Sequence, residues 1–90
     1  MNLDNIKQQL IDKGVTVWPD MQAPVEILDG EARACRTRSI ASDMTEQEVA
    51  ECICPEGTHV AFRGIYDVPV KDLEGNTLDT VQHIRYAAWS

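Results

Sequence analysis

The sequence predicts an α+β fold, in which two short helices accompany a mostly antiparallel sheet of about four to five strands, built from two hairpins. Three observations indicate it. Two segments repeat apolar residues at helical spacing, several others are rich in β-branched and aromatic residues, and turn-forming sequences divide two of those. Because 90 residues have room for a single hydrophobic core, residues 1–90 are expected to form one acidic domain.

The first helix is predicted over roughly residues 3 to 13. Asn2 or Asp4 can cap its start, and Gly14 suits the left-handed position that follows many helices. Its apolar residues recur on one face: Leu3, Ile6, Leu10 and Ile11. The β-forming run at 15–18 then predicts a short edge strand that Pro19 ends.

A hairpin is predicted around Asp29 and Gly30, a pair that tolerates the positive φ angles of a two-residue turn. This turn would pair Val25 with Ala34, Ile27 with Ala32, and Glu26 with Arg33 in an ion pair. The second strand is expected to run from Glu31 to about Ile40. Arg36 and Arg38 would then lie on its apolar face, so we expect a bulge near Cys35 or an exposed far end.

The second helix has the clearest local signature in the chain. Thr45 and Glu48 form a capping box, and Met44 with Val49 forms a hydrophobic staple. Val49, Cys52 and Ile53 are predicted to face inward. Pro55 and Gly57 are expected to end the helix.

The last third predicts a long hairpin, in which 58–70 pairs with 78–89 around a turn near 74–76. Pairing even positions of the first strand with odd positions of the second predicts this core face: Val60, Phe62, Tyr66, Val68, Val81, Ala87 and Trp89. The opposite face carries Arg63 and an apolar set: Ile65, Leu78, Ile84 and Tyr86. That apolar area predicts a cover, which a helix, a tail or a partner could supply.

The segment 51–59, ECICPEGTH, raises the question of a metal or redox site. Cys35, Cys52, Cys54 and His59 are ligand types that zinc accepts, but their spacing is not that of paired zinc knuckles. Redox thiols are usually found at a helix N-terminus, whereas Cys52 and Cys54 lie at a C-terminus. We therefore expect no metal and no cofactor, and read the segment as helix end, turn and strand.

Fifteen acidic and eight basic residues give a net charge of −7. This charge repels phosphate backbones and anionic membranes, so neither direct nucleic-acid binding nor membrane binding is expected. Five arginines on strands, with aromatic residues nearby, could suggest a platform for single strands, but pairing with the surplus acids is the favoured interpretation. An odd number of cysteines and an N-terminus without a basic, apolar leader predict a cytoplasmic location.

The acidic helix supplies the leading functional hypothesis, a non-enzymatic module that docks on a basic protein surface. Small inhibitors encoded by phages or mobile elements block host nucleic-acid enzymes in this way. No catalytic motif is evident, so an enzyme is not expected. The candidate partner-binding residues are Asp43, Glu46, Glu48, Glu51 and Glu56.

Two alternatives come from different classes of function. A structural protein would self-associate, as a homodimer or larger assembly, through the apolar face of Ile65, Leu78, Ile84 and Tyr86. A small enzyme or ligand-binding domain would centre on Tyr66, His83 and Arg85, with His83 as a candidate general acid or base.

Overall fold

The computed structural model describes residues 1–21, 25–28 and 30–90, and it is an α+β fold with two helices. The helices are α1 (Leu3–Asp12) and α2 (Glu46–Ile53), which a short 3₁₀ turn, Cys54–Glu56, follows. The strands are β1 (Thr16–Val17), β2 (Val25–Leu28), β3 (Glu31–Ala34), β4 (Arg36–Ile40), β5 (His59–Lys71) and β6 (Thr77–Trp89). Over the described ranges, neither helix has the length and apolar content needed to cross a membrane.

The strands form two sheets, and the larger one is mixed. Its four strands lie in the order β1-β5-β6-β4, with β5–β6 and β6–β4 antiparallel but β1 parallel to β5. The smaller sheet is the β2–β3 hairpin. Both predicted hairpins are therefore present, but the expectation of one mostly antiparallel sheet is only partly met.

The β2–β3 hairpin has the predicted register, in which Val25 pairs with Ala34, Glu26 with Arg33 and Ile27 with Ala32. Gly30 has the positive φ of 79° that the turn requires. Asp29 and the side chain of Glu26 lie outside the described part, and with them the predicted ion pair.

The single strand predicted from Glu31 to about Ile40 is two strands. β3 ends at Ala34 and β4 begins at Arg36, where it joins the larger sheet beside β6. The break falls at Cys35, where the sequence predicted a bulge. Arg36 and Arg38 pair with Tyr86 and Ile84, so they lie on the apolar face after all, but on the edge strand, where Glu56 supplies both with an acidic partner.

The helix caps are those predicted. The Asn2 side chain accepts a hydrogen bond from the Asp4 amide, and Gly14 follows α1 with a φ of 88°. Both bonds of the capping box between Thr45 and Glu48 are present in α2. The buried stripe of α2 is Val49, Ala50 and Ile53, whereas Cys52 is only half-buried at its border.

A bulge in β5 changes the face assignment predicted for the long hairpin. Phe62 pairs with Tyr86, but the next pair is Gly64 with Arg85, so Arg63 is an extra residue. The predicted pairing of even with odd positions is right from Gly64 to Val70 and wrong before the bulge. Up to Phe62, even positions pair with even ones, because one inserted residue reverses the parity.

The corrected faces give two buried clusters. Val60 and Phe62 join Ile84 and Tyr86 beneath the helices, in the main core between helices and sheet. Ala87 and Trp89, predicted to share the face of Val60, instead lie on the other side of the sheet, in a smaller cluster around Met21. Tyr66, Val68 and Val81 belong to neither core, since they share the face opposite Ile65 and Ile84 and lie outside the cluster around Met21.

Candidate functional site

Four of the five predicted acidic residues lie together on α2 and the turn before it. Asp43, Glu48 and Glu51 are exposed, and Glu46 is half-buried. Glu46 accepts a hydrogen bond of 3.3 Å from the Asn5 amide and lines an open groove of about 440 Å³ between α1 and α2. We call these four residues the α2 acidic surface.

The carboxylates of the α2 acidic surface make only neutral contacts. Glu48 accepts from the backbone amide of Thr45 at 3.3 Å, and the Gln47 amide donates to Glu51 at 3.3 Å. Across the described ranges, no ion pair involves any of the four. Residues 43–53 also contain no lysine or arginine, so their negative charge has no local compensation.

Glu56, the fifth predicted acid, lies in a different environment. Its carboxylate is 3.4 Å from Arg36 Nη1 and 3.7 Å from Arg38 Nη2, and it accepts a hydrogen bond from the Tyr86 hydroxyl. Burial and the neighbouring carboxylate raise the pKa of Tyr86 above its ordinary value. The pKa of Arg38 is also raised, chiefly through its hydrogen bond to Tyr86. Glu56 is thus neutralised within the protein and does not extend the α2 acidic surface.

The four residues predicted as a self-association face do not form one surface. Ile84 and Tyr86 lie beneath the helices and are 0% and 1% exposed. Of the three covers that the sequence allowed for this face, a helix, a tail or a partner, the structure shows a helix. Ile65 is half-buried against the same core. Leu78 alone is largely exposed, at 66%, near the hairpin tip.

The opposite face of the sheet brings together polar residues from three strands. Arg85 lies opposite the bulge at Arg63 and Gly64, and two pairs further along, on the same face, Tyr66 pairs with His83. Ser39 Oγ on β4 is 3.3 Å from His83 Nε2. The residues proposed for a ligand or catalytic site, Tyr66, His83 and Arg85, are therefore near neighbours on one face.

The arginines fall into two groups that the sequence did not separate. Arg36 and Arg38 pair with Glu56, as the general expectation of acid partners predicts. Arg63 and Arg85 form no ion pair with any described residue, and the buried atoms Arg63 Nη1 and Arg85 Nε have no hydrogen-bond partner there. The separation comes from the β5 bulge, for which Gly64, an isolated glycine inside a strand, is the local sequence signal.

An aromatic cluster at the end of the sheet was not predicted. Trp18 Nε1 donates a hydrogen bond to His59 Nδ1 at 3.1 Å. The His59 ring stacks on the Trp89 ring, with 5.6 Å between the ring centroids. The Arg33 guanidinium lies over the Trp89 ring at 4.6 Å. Each residue comes from a different strand or strand end, so only the assembled sheet brings the four together.

The segment that suggested a metal is a helix end and turn. α2 ends at Ile53, and the 3₁₀ turn through Pro55 leads to Gly57, which approaches the Trp89 backbone too closely for a Cβ. Cys35, Cys52 and Cys54 are free, half-buried thiols. In the part of the chain described, no group of three or more His, Cys, Asp or Glu residues could hold a metal ion.

Comparison with protein-family models, curated proteins and solved structures finds no match to this chain.

Proposed function

We propose that the protein is a non-enzymatic binding module whose α2 acidic surface docks on a basic surface of a partner protein. One observation carries the proposal. Four carboxylates share one helix and its leading turn without an ion pair among the described residues, whereas Glu56, close by in sequence, is neutralised by two arginines. The acids on α2 are the ones that a partner's cations can reach.

The electrostatics of α2 favour such a partner. Glu46 and Glu48 lie in the first turn, where the helix dipole stabilises negative charge, but Glu51 lies beyond it. Glu48 and Glu51 are three positions apart, a spacing at which like charges repel. Cations from a partner would relieve that repulsion. Charge complementarity would also accelerate encounter and make association sensitive to salt.

The class of partner follows from the same charges. A basic surface on a protein is often one that binds nucleic acid, and an acidic module covering it would compete with the phosphate backbone. The net charge of −7 opposes direct binding to nucleic acid. In this proposal the protein acts in the cytoplasm as an inhibitor, as proteins of phages and mobile elements do against host nucleic-acid enzymes.

The test is affinity capture from native cell extract, eluted with a salt gradient and identified by mass spectrometry. A triple variant, D43K/E46K/E51K, reverses three charges of the surface and spares Glu48, whose carboxylate completes the helix cap. The matched control, D67K/E74K/D79K, reverses three exposed acids of the long hairpin. We expect the wild type to capture a basic partner protein that rising salt releases. The α2 variant should fail to capture this partner, and the control variant should still capture it.

Three results would contradict the proposal. Capture by both variants would remove the α2 acidic surface from the interaction. Equal loss of partner capture by both variants would show that the interaction depends on net charge alone. The third result is recovery of no basic protein but only of the chain itself, as a salt-resistant oligomer. It would favour self-assembly as the function.

A second candidate function is self-association through the tip of the long hairpin. Here Val70, Leu73 and Leu78 are 41%, 107% and 66% exposed. Neither edge of 68–71 or of 77–81 pairs with another described strand. Free edges with apolar side chains favour pairing between chains. Sedimentation velocity of the wild type and of Leu78→Asp tests this, since a dimer that survives the substitution would exclude the tip.

A further inference from the structure

We propose that Arg63 and Arg85, on the sheet face opposite the helices, form a binding site for the phosphate group of a small phosphomonoester. The site lies on the other side of the sheet from α2. It therefore does not depend on the proposed docking function, and either can fail without the other.

The β5 bulge creates the site. Phe62 pairs with Tyr86 and Gly64 with Arg85, which leaves Arg63 as the inserted residue opposite Arg85. A bulge redirects a side chain that regular alternation would have placed elsewhere. Arg63 and Arg85 thus occupy adjacent positions on neighbouring strands.

The two arginines lack the partners that charged groups require when they are removed from water. Arg63 Nη1 and Arg85 Nε are buried without a hydrogen-bond partner, and neither side chain forms an ion pair within the described part of the chain. By contrast, Arg36 and Arg38 share Glu56. Adjacent positive charges with unused donors favour an anion that contacts both.

The charge of the site selects among anions. A carboxylate carries one negative charge and would leave one guanidinium uncompensated, whereas a phosphomonoester carries about −1.5 to −2 at pH 7. Guanidinium groups also bind phosphate oxygens through two parallel hydrogen bonds. A polynucleotide would meet the repulsion of a chain with net charge −7, so a small phosphate compound is the better ligand.

Hydroxyl groups around the arginines suit the remaining phosphate oxygens. Thr37 pairs with Arg85 across the β4–β6 ladder, and Ser39 lies beside His83 on the same face. The Tyr66 side chain is 41% exposed, and its hydroxyl donates to the Arg63 carbonyl at 3.4 Å. Thr37 and Ser39 are therefore donors on the face where the phosphate would lie, whereas the Tyr66 hydroxyl proton is already donated to the backbone.

Isothermal titration calorimetry tests the site with O-phospho-L-serine, inorganic phosphate and chloride, together with a short single-stranded oligonucleotide. We expect O-phospho-L-serine and inorganic phosphate to bind and chloride not to bind. Arg63→Gln and Arg85→Gln should each weaken binding at least 10-fold. Arg36→Gln, which removes the same charge from an arginine already paired with Glu56, should bind as the wild type does.

A second variant and a stability measurement distinguish loss of the binding site from loss of the fold. Arg63→Lys keeps the charge but loses the planar fork, so it should bind more weakly than the wild type and more tightly than Arg63→Gln. Thermal unfolding without phosphate should show no loss of stability in Arg63→Gln, because the substitution removes a like-charge neighbour. Absence of phosphate binding by the wild type, equal weakening by Arg36→Gln, or tighter binding of the oligonucleotide would each overturn the proposal.

Discussion

The two ends of the β5–β6 hairpin both carry apolar side chains but have very different surroundings. The root, His59–Ile65 with Ile84–Trp89, has helices on one face and the cluster around Met21 on the other. The arm, Val68–Lys71 with Thr77–Val81, is covered on neither face and pairs with no other described strand. Alternating apolar residues therefore indicate which side chains share a face only where the register is unbroken, and what packs on that face decides whether they are core.

The largest effect should come from placing the same charge in the root and in the arm. Ile84 is 0% exposed and Leu78 is 66% exposed. Ile84→Asp would bury a carboxylate without a partner and should lower the free energy of unfolding by about 4 kcal/mol or more. Leu78→Asp should change it by no more than about 0.5 kcal/mol. Urea denaturation followed by circular dichroism measures both.

Equal destabilisation by the two aspartates would mean that the arm is buried in solution, as it would be within an oligomer. Concentration-dependent unfolding of the wild type would show this directly. Leu78, and not the buried Ile84, is therefore the residue at which an aspartate reports on self-association.

A smaller effect should separate the two tyrosines. Tyr86 in the root donates its hydroxyl to Glu56 and accepts from Arg38 Nε at 3.4 Å, whereas the exposed Tyr66 donates to the Arg63 carbonyl. Tyr86→Phe removes a hydrogen bond to a charged group and should cost about 2 kcal/mol. Tyr66→Phe should cost less than about 0.5 kcal/mol. Chemical denaturation of the two variants measures the difference, and similar values would show that the Glu56 network adds no stability.

The smallest effect concerns pH at the hairpin tip. The Asp72 carboxylate accepts from the amides of Glu74 and Asn76 at 2.9 Å, and these bonds, that of the Asn76 backbone foremost, lower its pKa. A carboxylate whose pKa is lower in the folded than in the unfolded state stabilises the fold at any pH above its unfolded pKa, about 3.9. This contribution is lost as the pH falls through the folded pKa. The tip should loosen below about pH 4.

Nuclear magnetic resonance of the Glu74 and Asn76 amides, recorded between pH 6 and pH 2, checks this prediction. Their resonances should shift as Asp72 titrates, while amides in the root should not follow that titration. Asp72→Asn should abolish the transition at the tip. A transition unchanged in that variant would assign it to another carboxylate.

Sequence signals were sufficient where the determining contacts are local. The capping box at Thr45 and Glu48, the end of α1 at Gly14 and the register of the β2–β3 hairpin depend on residues within a few positions of one another. The α2 acidic surface was located for the same reason. The arginine pair was not, because it depends on one inserted residue in a strand of 13.

The sequence by itself determined the class of fold, the two helices with their caps, both hairpins and the acidity of α2. Propensity, capping and turn chemistry act over a few residues and are readable from the chain. Tertiary structure decided the parallel position of β1, the change of sheet at Cys35, the neutralisation of Glu56 and the juxtaposition of Arg63 and Arg85 on neighbouring strands. Each of these depends on contacts between distant segments, whose free energies no local pattern contains.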